Sequence, residues 1–328
     1  GTLKALEQGA LEVTGVASAI ATENLDTGSC PIVKAEFYQK GFNALGWHWW
    51  PVDAAVTSVP REGRAACNHC GPCLQGCPTG AKMSVDLTYW PKAIAAGVEL
   101  STGEQLTADF IASGLNPQQT FLDLLPVEAV PAEARARAAK FQYNLLAPLF
   151  ALNVALREPP RWAAASQRPE LERAFMFIVG LERFGQFHDI VAAHERGEIP
   201  TTVAWGACPT LFDPTQAPPG QHTAFLWEKL PYALRGDARK WDAAQAAHGR
   251  DLLATWTEFA PNLAGSVLDS FTRSPLDTER TLPNMTGGDL LVGSFANGQV
   301  GFNRPFPGAG HYRTPLPGLY LCGGSTHP

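Results

Sequence analysis

The chain has 328 residues, of which 45% are apolar, and its formal net charge is −6. This length allows a large buried core in about two domains, while the acidic balance and the absence of a basic run argue against a nucleic-acid partner. The longest apolar stretch, residues 145–156, is shorter than the ~20 residues that a membrane-spanning helix requires, so no transmembrane segment is predicted.

The two ends of the chain both indicate a fragment. Residue 1 is Gly rather than Met, no signal peptide follows it, and the sequence stops directly after an apolar run near its C-terminus. There are 7 cysteines, an odd number, and four of them lie close together, which does not fit a secreted disulfide framework. We therefore expect part of a longer reading frame, located in a reducing cytoplasm.

The first motif in chain order is a cysteine cluster with the spacing C-x2-C-x2-C-x3-C-P. Its members are Cys67, Cys70, Cys73 and Cys77. Thiolates at this spacing can converge on one iron–sulfur cluster, because a tight loop turns several sulfurs towards one face. The pattern alone therefore makes this segment a candidate metal site, and an iron–sulfur electron-transfer module is one function that the sequence allows.

The residues around the cysteines resemble those of the bacterial glucose–methanol–choline (GMC) flavoprotein oxidoreductases. The stretches that carry the resemblance are 46–51 (GWHWWP), 66–71 (ACNHCG) and 76–84 (GCPTGAKMS). The resemblance covers about residues 1–96 and implies a cysteine-bearing loop that leads into a helix over Val85–Ala96. Within it the cysteines could form disulfides, bind a cluster or only pack the loop. A GMC-type alcohol dehydrogenase or oxidase is the alternative function that it implies.

A different pattern begins at Gly97. Residues 97–113 alternate apolar and polar side chains about a turn at Ser101–Glu104, which predicts a β-hairpin. Asn116 and Pro117 then begin a predicted helix that runs to Leu125, with Asn as the N-cap and Pro in the first turn.

Residues 132–260 have mainly helical apolar spacing. The predicted helices are Ala132–Leu156, Pro169–Ile178, Leu181–Arg196 and Asp237–Phe259. Strands are predicted at Thr201–Ala207 and Thr223–Lys229, and the prolines and glycine of residues 211–220 predict a turn between them. Four histidines lie apart in this region, without a partner at ligand spacing, which favours surface or hydrogen-bonded side chains over catalytic ones. They are His188, His194, His222 and His248.

The most informative stretch is the last one, an apolar run over Gly318–Cys322 that ends at a pair of glycines. Such a pair lets backbone N–H groups come close to a phosphate or a flavin ring. We predict a strand buried on both faces, with Leu319 and Leu321 on one face and Tyr320 and Cys322 on the other. The residues predicted to contact a cofactor are Gly323, Gly324, Ser325 and Thr326. A plain strand-ending turn is the alternative.

This ending resembles the flavin-binding segment of the FAD-dependent phytoene desaturase and amine oxidoreductase-like family, in which a strand of type LYLCG is followed by STHPGG and a helix. Four other stretches match in order: 274–280 (SPLDTER), 286–289 (TGGD), 304–305 (RP) and 312–315 (YRTP). The resemblance covers about residues 97–328. It implies FAD as the cofactor and desaturase-like or dehydrogenase-like hydride removal from a small apolar substrate.

Together the resemblances imply an α/β fold with an α+β substrate domain, part of a Rossmann-like FAD/NAD(P)-binding flavoprotein. The chain has no G-x-G-x-x-G motif between a predicted strand and a predicted helix, where FAD-binding proteins carry it. No acid–base pair of side chains is visible either, so the redox chemistry would be that of the flavin. The two halves suggest a hybrid or misassembled gene fragment, and an inactive fragment is a further alternative.

Four segments are expected in such a chain. They are a GMC-like segment with the cysteine loop (1–96), a hairpin and helix returning to the FAD domain (97–130), a mostly helical substrate domain (131–285) and a truncated C-terminal part of the FAD domain (286–328). We expect residues 97–125 and 286–328 to lie close together.

Overall fold

A computed structural model describes residues 107–174, 176–296 and 298–326, together with short pieces of the preceding chain at 43–44, 46, 59–60, 63–68, 77, 79–81 and 89–97. These residues form a mixed structure of helices and strands, as the sequence predicts. The predicted hairpin turn and first strand, at residues 98–106, lie outside the described residues, as do Cys70 and Cys73. Among the residues described, no helix is both long enough and apolar enough to span a membrane.

The larger sheet has five antiparallel strands in the order β3-β4-β5-β2-β6. The strands are β2 (Leu149–Leu156), β3 (Phe177–Val179), β4 (Ala204–Ala207), β5 (His222–Lys229) and β6 (Val267–Arg273). In β2 and β5 buried residues alternate with half-buried ones, because successive side chains point to opposite faces of a sheet. One face of the sheet therefore belongs to the core.

A long helix, α4 (Trp241–Phe259), covers the buried face of this sheet. Its buried residues Trp241, Leu252 and Trp256 pack in one core cluster with Phe150 and Leu226 of the strands. The helix can approach β6 closely because residue 249 is Gly, where a Cβ would lie only 2.4 Å from the methyl carbon of Thr272. This packing identifies the other face of the sheet as the one turned away from α4.

The smaller sheet consists of two parallel strands, β1 (Ile111–Ser113) and β7 (Leu319–Leu321). Ile111 is paired with Leu319, and Ser113 with Leu321. The expected proximity of residues 97–125 and 286–328 is thus confirmed where the two ranges are described, through the pairing of 111–113 with 319–321. The prediction that the C-terminal strand is buried on both faces is wrong, because Leu321 is buried but Tyr320 is half-buried and Cys322 is exposed.

The remaining helices are short. They are α1 (Tyr89–Ala95), α2 (Ala132–Ala139), α3 (Gln186–Arg196), α5 (Leu263–Ser266) and α6 (Pro275–Thr281), with a π-helix at Gln119–Leu124. The predicted Asn cap is confirmed: the side-chain oxygen of Asn116 accepts a hydrogen bond from the Gln119 N–H at 2.9 Å. In α6 a reciprocal capping box between Ser274 and Asp277 fixes the N-terminus.

Two predicted helices are wrong. The helix predicted over Ala132–Leu156 ends at Ala139, and β2 occupies the second half of that range. The helix predicted over Pro169–Ile178 is a 3-10 helix, Pro169–Arg173, followed by β3. In both places the chain gains a strand because a neighbouring strand supplies its hydrogen bonds, and a local pattern does not contain that information. The region predicted as mostly helical is therefore built around the five-stranded sheet.

Buried histidines should make the stability of this fold depend on pH. His194 is buried in α3, where its Nδ1 lies 2.8 Å from the Ile190 carbonyl, and burial lowers the pKa of this imidazole. The unfolded chain therefore binds a proton at higher pH than the folded chain, so the free energy of unfolding should decrease as the pH falls below about 6.5. Denaturant titrations between about pH 7 and pH 5 should show a flatter dependence for His194→Gln. His188→Gln, a change at an exposed position, should keep the parent slope. Equal slopes for all three proteins would contradict the prediction.

Candidate functional site

The candidate site lies where β1 and β7 end. The Cys322 N–H donates to the Ser113 carbonyl at 2.8 Å, which extends the parallel pairing by one residue beyond β7. Because the strands are parallel, the turns that follow them, at Gly114 and Gly323, emerge at the same edge of the sheet. In open parallel α/β sheets ligands bind at the carboxyl ends of the strands, and this pair of parallel strands presents such an edge.

Gly323 is required by the backbone at this edge. Its φ is +87°, a conformation that other residues rarely adopt, and a Cβ there would lie 3.4 Å from the Gly114 carbonyl oxygen. The turn over residues 323–326, named the glycine turn below, is closed by Thr326. Its N–H and its hydroxyl donate to the Gly323 carbonyl at 3.1 and 2.7 Å. The sequence prediction that the glycine pair ends a strand is confirmed.

The members of the glycine turn fall into two groups. Gly323 and Gly324 are exposed, and their N–H groups have no acceptor in the part of the chain that the structure describes. Ser325 and Thr326 are buried, and their hydroxyls donate to backbone carbonyls. The glycine N–H groups can therefore donate to an anionic or planar ligand, whereas the two hydroxyl side chains hold the turn in place.

Arg304 holds the glycine turn in place by binding the carbonyl of Gly324. The sequence pattern did not reveal this role. The arginine side chain is 2% exposed, and its Nε and Nη2 donate to the Gly324 carbonyl at 2.9 and 2.7 Å. The same guanidinium donates to the carbonyls of Leu291, Val292, Gly293, Ser294 and Gln299. Burial lowers the pKa of Arg304, and the nearby Asp289 carboxylate opposes this change. The only sequence signal for Arg304 was the Arg304-Pro305 pair, one of the stretches that resemble the family. That resemblance did not indicate which groups the arginine contacts.

Asp289 also fixes the loop of residues 291–299, to whose carbonyls Arg304 donates. This buried carboxylate accepts the N–H groups of Leu291 at 2.8 Å, Gly293 at 3.1 Å and Asn144 at 2.8 Å. Asn144 also donates through its side chain to the Gly293 carbonyl at 2.8 Å. Since Asn144 lies shortly before β2, the loop under the glycine turn is tied to the larger sheet.

The face of the larger sheet that is turned away from α4 is aromatic. Trp205, Phe225 and Trp227 point away from α4 on neighbouring strands, with ring centroids 4.6 Å apart for Trp205–Trp227 and for Phe225–Trp227. At the two edges of the sheet, Ile178 of β3 is 48% exposed and Phe271 of β6 is 64% exposed. We call these five residues the aromatic face. Asn153 of β2 lies on the same face between Phe225 and Phe271. The continuous apolar surface on which a nonpolar molecule can lie is therefore formed by Ile178, Trp205, Phe225 and Trp227.

The predicted metal site is described only in part. Cys67 and Cys77 are partly exposed, while Cys70 and Cys73 lie outside the described residues. Across residues 107–326 and the shorter pieces that the structure describes, no group of three or more His, Cys, Asp or Glu is arranged to hold a metal ion. The iron–sulfur interpretation thus stays a prediction about this loop.

Two of the four histidines named from the sequence are bound to polar side chains inside the fold. His222 Nδ1 lies 3.0 Å from the Thr210 hydroxyl, and His248 Nε2 lies 2.8 Å from the buried Glu228 carboxylate. Both contacts lie inside the fold rather than at the glycine turn or on the aromatic face. This agrees with their interpretation as structural side chains.

No protein-family profile matches the chain, but several known proteins are similar to it in sequence. The mouse protein named pyridine nucleotide-disulfide oxidoreductase domain-containing protein 2 is 31% identical over 243 residues, which are 71% of this chain and 41% of that protein. A limonene dehydrogenase subunit of Castellaniella defragrans is 27% identical over 258 residues, 71% of this chain and 45% of that protein. Phytoene desaturase (lycopene-forming) of a Paracoccus species is 27% identical over 237 residues, 71% of this chain and 43% of that protein. The chain thus spans less than half the length of these relatives.

Proposed function

Because the chain belongs to the FAD-dependent phytoene desaturase and amine oxidoreductase-like family, we propose that it acts in a flavin-dependent oxidation that removes hydride from an apolar substrate. The names of its relatives describe oxidoreductases, among them a dehydrogenase subunit and a desaturase. Residues 97–130 and 286–328 would belong to the FAD-binding part of a Rossmann-like domain, and residues 131–285 to the substrate domain. A cytoplasmic location and the GMC-like origin of residues 1–96 remain predictions.

The observation that carries the proposal is the exposed pair of glycines at the carboxyl ends of two parallel strands. The residues fit a flavin nucleotide, because Gly323 and Gly324 are exposed and their N–H groups have no acceptor among the described residues. When bound, FAD would supply the hydride acceptor. The chain itself would bind the cofactor through these N–H groups, and Arg304 would hold the glycine turn in place.

The apolar substrate is supported by the aromatic face. An apolar molecule that lies across Trp205, Phe225 and Trp227 would be removed from water, since these side chains are only half-buried in the protein. The charge of Asp289 and the hydrogen bonds of the loop 291–299 connect the region of Lys229 with the glycine turn. The Asp289 charge favours the protonated form of Lys229 at the end of β5 without a direct bond to it, Asp289 accepts the Gly293 N–H, and Arg304 donates to the Gly324 carbonyl. The substrate and the cofactor would therefore approach the same loop from two sides.

The glycine pair provides the test of cofactor binding. Gly324→Val should abolish FAD binding while the fold is retained, because a Cβ there meets Val292 at an ordinary 3.5 Å but projects from an exposed turn that the cofactor must approach. FAD fluorescence titration measures the affinity, and circular dichroism checks the fold. Gly265→Val is the matched control, since Gly265 is exposed and a Cβ there meets nothing within 4 Å.

Two results would count against this proposal. Equal FAD affinities of the parent chain and Gly324→Val would show that the glycine pair is only a turn. A parent chain that gains no flavin signal when FAD is added would overturn the proposed cofactor role of this chain.

A further inference from the structure

Lys229 is a basic side chain at the end of the aromatic face. In β5 the residues Ala224, Leu226 and Glu228 are buried towards α4, so the alternation of the strand places Lys229 on the same face as Phe225 and Trp227. Lys229 lies four residue steps along the strand from Phe225, a distance of about 14 Å. A cationic group thus lies at one end of an apolar surface.

The ammonium group of Lys229 has no hydrogen bond and no ion pair in the part of the chain that the structure describes. The side chain is nevertheless half-buried, and this burial lowers the pKa of Lys229. A charge that loses water without gaining a partner is costly, and such a group is available to an anion that arrives with a ligand.

Asp289 makes no hydrogen bond or ion pair with the Lys229 ammonium group. Its charge favours the protonated form of Lys229, but its oxygens already accept the N–H groups of Asn144, Leu291 and Gly293. Glu228, the neighbour in sequence, points to the opposite face and bonds His248. Neither carboxylate therefore supplies the hydrogen bond that the ammonium group lacks.

We propose that Lys229 binds the carboxylate at one end of an otherwise apolar substrate whose hydrocarbon part lies across Trp227 and Phe225. This inference rests on the proposed function and adds to it a substrate class, the apolar carboxylic acids. The carboxylate would gain a charge-assisted hydrogen bond at one end of the ligand, while the aromatic rings bury the chain.

The test compares two ligands that differ only in their end group, dodecanoate and dodecanol. Isothermal titration calorimetry on the full chain, without FAD and below the micelle concentration, should give about tenfold tighter binding of dodecanoate, as expected for one hydrogen bond to a charged group. Lys229→Met should lower the affinity for dodecanoate to that for dodecanol and leave dodecanol binding unchanged. Lys229→Arg should retain the preference for the acid.

The matched control is Lys240→Met. Lys240 is exposed, and its Nζ lies 3.2 Å from the Arg235 carbonyl, away from the aromatic face. This variant should keep the tenfold preference, and circular dichroism should show the parent fold for every variant.

The possible outcomes separate this inference from the proposed function. Equal binding of both ligands, or a preference that survives Lys229→Met, would overturn carboxylate recognition by Lys229 and leave the apolar surface in place. Binding of neither ligand would overturn the inference together with the apolar substrate. The flavin titration is independent of both results, so a failure of FAD binding alone would leave the ligand comparison decisive for Lys229.

Discussion

Replacement of Arg304 by Met should lower the free energy of unfolding by about 3 kcal/mol or more. The guanidinium donates to the carbonyls of Gly324 and of five residues in the loop 291–299, and it is almost completely buried. Methionine fills a similar volume but donates nothing, so several carbonyls would lose their donor away from water. Urea titration followed by circular dichroism measures the loss.

The same replacement should also loosen the glycine turn, because the only side chain bound to the Gly324 carbonyl among the described residues is that of Arg304. Hydrogen exchange of the backbone amides of residues 319–326 should become faster. The control is Arg161→Met, whose arginine is 67% exposed and paired with Glu158 at 2.8 Å, and it should change stability far less. If Arg304→Met and Arg161→Met have the same small effect, Arg304 does not hold the turn.

Trp241→Phe should destabilise the chain by about 2–3 kcal/mol, considerably more than the chemically identical change Trp256→Phe. Both tryptophans are fully buried in the core beneath the five-stranded sheet. The indole N–H of Trp241 donates to the Pro231 and Tyr232 carbonyls, each at 3.1 Å. The indole N–H of Trp256 has no acceptor among the residues that the structure describes. Phenylalanine therefore removes two hydrogen bonds at one position and an unsatisfied donor at the other.

The comparison controls for the loss of ring volume, which is the same at both positions. Chemical denaturation of the two variants should show the difference as separate midpoints with equal slopes. Equal losses of stability would mean that the hydrogen bonds of Trp241 contribute nothing beyond packing. Since α4 supports the sheet behind the aromatic face, Trp241→Phe should also weaken dodecanol binding more than Trp256→Phe.

Local signals in the sequence were sufficient for several parts of the fold. Asn116 followed by Pro117 indicated a helix start, and the Asn side chain does cap that helix. The long apolar periodicity after Asp237 indicated α4, and the alternation after Thr223 indicated β5. These features depend on residues within one or two turns of each other, so the amino-acid sequence alone determines them.

Elements that depend on a distant partner were not predictable in this way. The run that became β2 reads as the end of a helix, because Ala and Leu are favourable in helices. It forms the centre of the sheet because β5 and β6 pair with it on both sides. The same reason explains the terminal strand, whose apolar residues suggested burial on two faces. In the described structure it pairs with β1 and leaves Cys322 exposed.

The sequence by itself determined the glycine turn, because Gly323 adopts a backbone conformation that only glycine takes easily, and the resemblance of its surroundings indicated the cofactor class. The tertiary structure alone decided what holds this turn and what lies beside it. Arg304 meets the Gly324 carbonyl across twenty residues of sequence, and Asn144 meets Asp289 across more than a hundred. Lys229 joins the aromatic face only through the strand pairing of the sheet. Such contacts depend on where folding brings distant residues together, and the spacing of residues along the chain does not contain that information.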